Sequence, residues 1–248
     1  MKIYLFLAAC TLMVVSAIIT SGGPAQNNPA PGQQRKDDRA EFESQFPITD
    51  VNKPGPTDPA SHAKWKAKSK KYKAIGIPVT EAAGQITFHT EWDIGFEALP
   101  VDKSDLVVIG EVTDAQAYLT EGKDWVYSEF TIRVDEVLKN TSKVTVSQGS
   151  SLIAERDGGG VRFPSGRKTI QYIVGQGMPR TGRRYVLFLT RDDQQQSTHI
   201  LTGYELRAGK VFPLDTPGGG QTPAATMYKE ADETSFLSDL RSAIANSK

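Results

Sequence analysis

The amino-acid sequence predicts a mainly β protein: a small antiparallel barrel with a C-terminal amphipathic helix and a disordered N-terminal region. Three observations predict it. Between Ser104 and Leu138, Leu106-Val107-Val108-Ile109 and a second apolar segment flank a polar turn, and in the second segment Phe130, Ile132 and Val134 alternate with Glu129, Thr131, Arg133 and Asp135. Side chains on a strand point to opposite faces in turn, so this alternation gives one dry and one wet face, which suits an antiparallel sheet around one core. Further short β-like runs recur to Phe212, and Phe236, Leu237, Leu240 and Ile244 then form one apolar helical stripe.

Taken in order, Met1-Lys2 followed by the apolar run Ile3 to Ile19 reads as the n- and h-regions of an export leader. Cleavage after Ala17, Gly22 or Ala25 fits the small residues there. An uncleaved anchor through residues 3–19 is the rival, since about 17 apolar residues is the lower limit for spanning a bilayer. Leu7-Ala8-Ala9-Cys10 resembles a lipobox, although the apolar residues continue beyond Cys10. Cys10 is the only cysteine, so no disulfide, thiol nucleophile or cysteine metal cluster is available after the leader. The expected divisions are a leader over 1–23, a disordered linker with a Lys-rich helical arm over 24–85, a β-barrel over 86–214, a Gly/Pro linker over 215–231 and a helix over 232–246. The destination is the periplasm or the exterior.

Lys+Arg and Asp+Glu both total 29, so bulk charge predicts no nucleic-acid partner. Local charge is uneven. Lys64, Lys66, Lys68, Lys70, Lys71 and Lys73 surround Trp65 and Tyr72. These lysines are the candidate residues for binding an anionic membrane surface, a teichoic-type envelope polymer or nucleic acid, although nothing in the segment reads a base. The plainer reading is a solvated helix or tether whose two aromatics dock loosely on the barrel.

Gln85 to Trp92 reads as a short strand on which His89, Glu91 and Asp93 share one face. No metal is assigned to them, because polar residues on a wet strand face are ordinary and His-Glu-x-x-His spacing is missing. Within the second central strand the apolar parity changes near Asp135-Glu136, which predicts a β-bulge or the strand's end. Lys143 to Ser147 and Ser151 to Ala154 are strand-like. The glycine-rich run Glu155 to Thr169 predicts a long loop or hairpin. Its Gly160 to Thr169 portion fails as a phosphate loop on spacing and because a strand, Ile170 to Val174, follows it. Gly182 to Leu189 predicts a central strand buried on both faces, and His199 to Phe212 a hairpin turning at Arg207 to Lys210. The C-terminal helix takes Asp232 or Thr234 as N-cap.

Ser104 to Val108, the strand Tyr127 to Val137 continuing through Leu138-Lys139, Val144 to Ser147, Arg184 to Leu189 and the C-terminal helix together resemble a netrin-like module. That is the oligonucleotide/oligosaccharide-binding (OB) type of barrel found in netrin C-termini and tissue inhibitors of metalloproteinases. The resemblance spans about residues 100–214 plus the helix and implies an OB-like fold and export, as in many exported bacterial proteins. The family's disulfides are absent, as is the N-terminal cysteine that tissue inhibitors place on a protease zinc, so no inhibitory residue carries over.

Two classes of function compete. The first is an exported, non-enzymatic binding module for a protein or envelope polymer, with no cofactor and no catalytic residue assigned. The second is an envelope hydrolase, for which Ser150 or Ser151 with His199 and Asp192 is the only assembly available, without a Gly-x-Ser-x-Gly elbow. An envelope structural role is a third possibility. Asn140-Thr141-Ser142 would accept a glycan only in a eukaryotic secretory route.

Overall fold

The structure, a computed structural model, describes residues 39–72, 78–83, 85–88, 97–194, 196–216, 220 and 222–247, with 83, 85–88 and 224 described by backbone alone. The leader with Cys10, residues 24–38 of the expected linker, Lys73, the strand face of His89, Glu91 and Asp93, and residues 217–219 lie outside the described residues. Among those described, no helix is long and apolar enough to cross a membrane.

The protein is mainly β, with two sheets and a C-terminal helix. The larger sheet contains β3 (Leu106–Leu119), β4 (Val126–Asn140), β5 (Ser151–Asp157), β8 (Arg184–Asp192), β9 (Ser197–Arg207), β10 (Lys210–Pro213) and β11 (Ala231–Asp232). Its pairings run β3–β4–β5–β9–β8 and return to β3, so the sheet folds back on itself. Four of these five steps are antiparallel ladders. The fifth, β5 to β9, is a single parallel pairing of Glu155 with His199, so the ring closes unevenly.

β3 has the two covered faces that its unbroken apolar run implies. Leu106, Val108 and Val112 enter a core with Phe130, Ile132, Val134, Leu187 and Leu189. Val107 and Ile109 enter another with Val186, Phe188, Tyr204 and Val211. β8 is buried continuously from Tyr185 to Leu189. The parity change in β4 is a bulge: Ile109 faces Glu136 but Gly110 faces Val134, leaving Asp135 over, and the strand runs on to Asn140. A second skip leaves Leu138 over between Val137 and Lys139. The β3–β4 turn holds Thr120 Oγ1 against Asp124 Oδ1 at 2.6 Å, and the residue taking positive φ is Lys123 rather than Gly122.

Two expectations are corrected. Residues 143–147 form no strand. Asn140 Oδ1 accepts from Ser142 N and Oγ, Ser150 Oγ donates to Ser147 O, and these local bonds take the backbone out of the sheet although Val146 still packs on the core. Disorder is also not found over residues 39–50 of the expected linker, whereas the Lys-rich arm is helical over Pro59–Lys71. A helical turn over 39–43 sets Phe42 against Phe46 at 5.1 Å, and both rings pack on Tyr172. β1 (Ile48–Asp50) then pairs parallel with β6 (Gly159–Arg162). Few apolar residues suffice when backbone pairing supplies the rest.

β6 and β7 (Lys168–Ile173) form a hairpin, and β2 (Gln85–Phe88) adds parallel to β7, giving the second sheet in the order β1-β6-β7-β2. The glycine run serves this hairpin. A Cβ on Gly160 would lie 2.2 Å from Ile48 Cδ1, so its absence admits the β1 side chain. At the other end of the chain, α2 (Pro223–Thr226) leads into β11 and α3 (Glu233–Asn246). Asp232 caps α3 by accepting from Ser235 N at 3.0 Å, and Phe236 and Leu240 pack on Tyr204 and Tyr228.

Candidate functional site

The helix α1 (Pro59–Lys71) lies across the weakly closed part of the ring. Asp58 accepts from Ser61 N at 3.0 Å as N-cap and Pro59 occupies the first turn, where its missing N–H costs nothing. Trp65, Lys68, Ser69 and Tyr72 stand three or four residues apart and so share one helical face. That face meets the sheet. Trp65 Nε1 donates to Leu119 O at 3.0 Å, and Ser69 Oγ accepts from Glu121 N at 3.0 Å. The Tyr72 ring stacks on Tyr127 at 4.7 Å, and Tyr127 stacks on Tyr118 at 5.4 Å.

Beneath the helix lies a buried polar network. Lys68 Nζ is 2.5 Å from Glu129 Oε1 and 2.7 Å from Glu155 Oε1. Burial alone would lower the Lys68 pKa, but its bonds to Glu129 and Glu155 outweigh that and raise it. Tyr72 Oη donates to Glu155 Oε2 at 2.9 Å and lies 3.3 Å from His199 Nδ1. Lys71 Nζ contacts His199 Nε2 and donates to Ser197 Oγ at 3.1 Å. An ammonium can only donate, so Nε2 accepts and the proton sits on Nδ1, which donates to Tyr72 Oη. The hydrogen bonds therefore run from Lys71 through His199 and Tyr72 to the Glu155 carboxylate, which accepts. Burial first, and the Lys71 charge second, depress the His199 pKa to about 4. Burial also lowers Lys71 and raises Tyr72, Tyr127 and Asp157. His199 is accordingly a neutral acceptor at pH 7.

Beside α1 a cavity of about 300 Å³ is walled by Trp65, Tyr118, Tyr127, Glu129, Ile153 and Thr198. Ile153 stands in this wall 53% exposed. On the other side of Trp65, a second hollow of about 250 Å³ is bounded by Lys53, Pro54, Pro56 and Gln116. Trp65, Tyr118 and Pro56 border both.

The six candidate lysines divide. Lys64, Lys66 and Lys70 are exposed, with Lys66 Nζ 3.7 Å from Glu121, whereas Lys68 and Lys71 turn inward and Lys73 lies outside the described residues. The proposed hydrolase set is not assembled. Ser150 Oγ donates to Ser147 O at 2.6 Å, and Ser151 pairs with Arg133, four residues along β5 from the Glu155 that faces His199. That interval is about 13 Å of strand. The charge of Asp192 does reach His199 and Lys71. Among the described residues, no group of three or more His, Cys, Asp or Glu side chains could hold a metal ion. Sequence reasoning passed over Glu155, Ser197, Lys68 and Tyr72 as a constellation. The one signal available was the Trp65-Lys68-Ser69-Tyr72 helical spacing, masked by its two polar members.

No family model matches the chain, and no curated protein matches it.

Proposed function

We propose that this protein is an exported, non-enzymatic binding module built on an OB-like, netrin-like barrel. The order of pairings supports the barrel reading: five strands return on themselves, with β5 and β9 parallel at the point of closure. OB barrels take ligands on the face of their second and third strands, between the loops joining strands one to two and four to five. Here those strands are β4 and β5, and those loops are the β3–β4 turn and the β8–β9 turn.

One observation carries the binding reading. The aromatic cavity beside α1 lies on that face, and Tyr118, Tyr127, Glu129 and Ile153 from the sheet meet Gln196 and Ser197 from the β8–β9 connection. An exposed aliphatic residue next to stacked rings and a few polar groups is the composition of a recognition surface. The engaged Ser150 hydroxyl and the four-residue strand interval between Ser151 and the Glu155 that pairs with His199 argue for binding rather than hydrolysis. The apolar leader supports export, and exposed Lys64, Lys66 and Lys70 support attraction to anionic envelope material.

The test is in-cell cross-linking of the tagged full-length protein beside an Ile153→Asp/Tyr118→Ala variant. A species recovered at stoichiometric yield with the wild type and lost with the folded variant is the expected result. Equal recovery by both places binding elsewhere and overturns the assignment of this face. N-terminal sequencing of the exported protein checks the leader.

A further inference from the structure

We infer that α1 is a hinged cover seated on the ligand face as an internal stand-in for the partner, and that the face fits a protein segment of α1's own chemistry: aromatic and lysine side chains on one helical face. This rests on the location of the ligand face given above. Three observations carry it.

The first is complementarity. Without α1, the sheet would present the Glu129 and Glu155 carboxylates beside the Tyr118–Tyr127 ring pair, and Leu119 O and Glu121 N as open backbone groups. α1 satisfies each with one side chain: Lys68 for the carboxylates, Tyr72 for the rings, Trp65 for the carbonyl and Ser69 for the amide. A peptide presenting the same groups at the same spacing would make the same bonds.

The second is tethering. α1 contributes no strand pairing, and the segments flanking it are anchored separately, β1 on β6 and β2 on β7. The helix can therefore leave its seat without dismantling either sheet. Residues 51–58 before it contain Pro54, Gly55 and Pro56, and no regular element.

The third is that the seat coincides with the weakest closure. β5 and β9 share a single ladder pairing, Glu155 with His199, and it is these two side chains that Tyr72, Lys71 and Lys68 engage. α1 finishes a seam that backbone hydrogen bonds leave short. Elements held by side chains over an incomplete ladder open more easily than the ladder itself.

The experiment uses the full chain and a labelled synthetic peptide of residues 58–72 as the probe. Wild-type protein, whose seat is occupied, should bind the peptide at least about tenfold more weakly than a Ser69→Pro variant, in which proline breaks α1 but leaves the sheet face unchanged. Adding Glu129→Gln and Glu155→Gln to Ser69→Pro should abolish binding, as should replacing Trp65, Lys68 and Tyr72 in the peptide with alanine. Hydrogen exchange on wild type should show residues 59–71 opening as a unit about tenfold or more faster than β4. Equal peptide binding by wild type and Ser69→Pro, no binding by a folded Ser69→Pro variant, or exchange of α1 only with global unfolding would each overturn the inference. Peptide binding without any cross-linked partner in cells would keep the cover and sink the partner reading, so the two failures are distinguishable.

Discussion

His199 is the residue on which the pH behaviour of the site turns. It is neutral between Lys71 and Tyr72, with Lys68 on the same helix as Lys71, and the carboxylates that act on it from the sheet are Glu155 and Asp192. Burial and then Lys71 hold its pKa near 4, against an ordinary 6.5. Released from the seat, it would bind a proton at higher pH than when covered. The seat is therefore at full strength above pH 6.5, weakens as pH falls from 6.5 to about 4, and loses no more below that. Over this window the shift is worth roughly 3 kcal/mol. Asp157, raised by burial, opposes this in part, because it takes its proton more readily in the folded state. The checking measurement is an NMR titration of the His199 ring with hydrogen exchange of residues 59–71 at each pH. A midpoint near 4 with accelerating exchange is expected, and a midpoint near 6.5 would mean that the ring is not enclosed by α1.

At the scale of elements, α3 shows what a legible amphipathic stripe achieves. Phe236 is 1% exposed and lies 4.9 Å from the Tyr204 ring and 5.0 Å from Tyr228. Its loss leaves a cavity between the helix and the outer face of β8, β9 and β10. Phe236→Ala should cost about 3–5 kcal/mol in chemical denaturation. The surface-facing Ser238→Ala should change stability by less than about 0.5 kcal/mol. α1 contrasts with this, since its inward face carries a lysine and a serine and is held by charge and hydrogen bonds. A helix seated by polar groups is harder to read from hydropathy and easier to release.

For the whole molecule the governing fact is how the ring closes. Next to the Glu155–His199 pairing, Arg156 runs through the interior. Its side chain is fully buried, its Nη2 donates to Asp215 Oδ2 at 2.6 Å and to Leu201 O of β9 at 3.4 Å, and its Nη1 donates to Gly177 O. Asp215 in turn accepts from Gly177 N at 2.8 Å. One ion pair thus joins β5, β9, the β7–β8 connection and the segment after β10. Removing one partner strands a buried charge. Arg156→Met or Asp215→Leu alone should cost about 3–5 kcal/mol, while the double variant should recover much of the loss, because the pair's attraction roughly offsets its desolvation. Additive losses in a double-mutant cycle would contradict this account.

The sequence by itself determined the β character, the two covered faces of Leu106 to Ile109, the Asp135 bulge, the Tyr185 to Leu189 core strand, the Arg207 to Lys210 turn and the capped C-terminal helix. Each is set by neighbours a few residues apart, through side-chain alternation, helical spacing or turn chemistry. Only the tertiary structure decided that residues 143–147 stay out of the sheet, that β1 and β2 add to the β6–β7 hairpin, and that the lysine helix covers the β4–β5 face. It also decided the site. Tyr72 meets Glu155 from 83 positions away and Lys71 meets His199 from 128. No local period encodes such pairs. A lysine on a solvated face and a lysine beneath a helix look alike in sequence, and only the fold supplies the carboxylates that tell them apart.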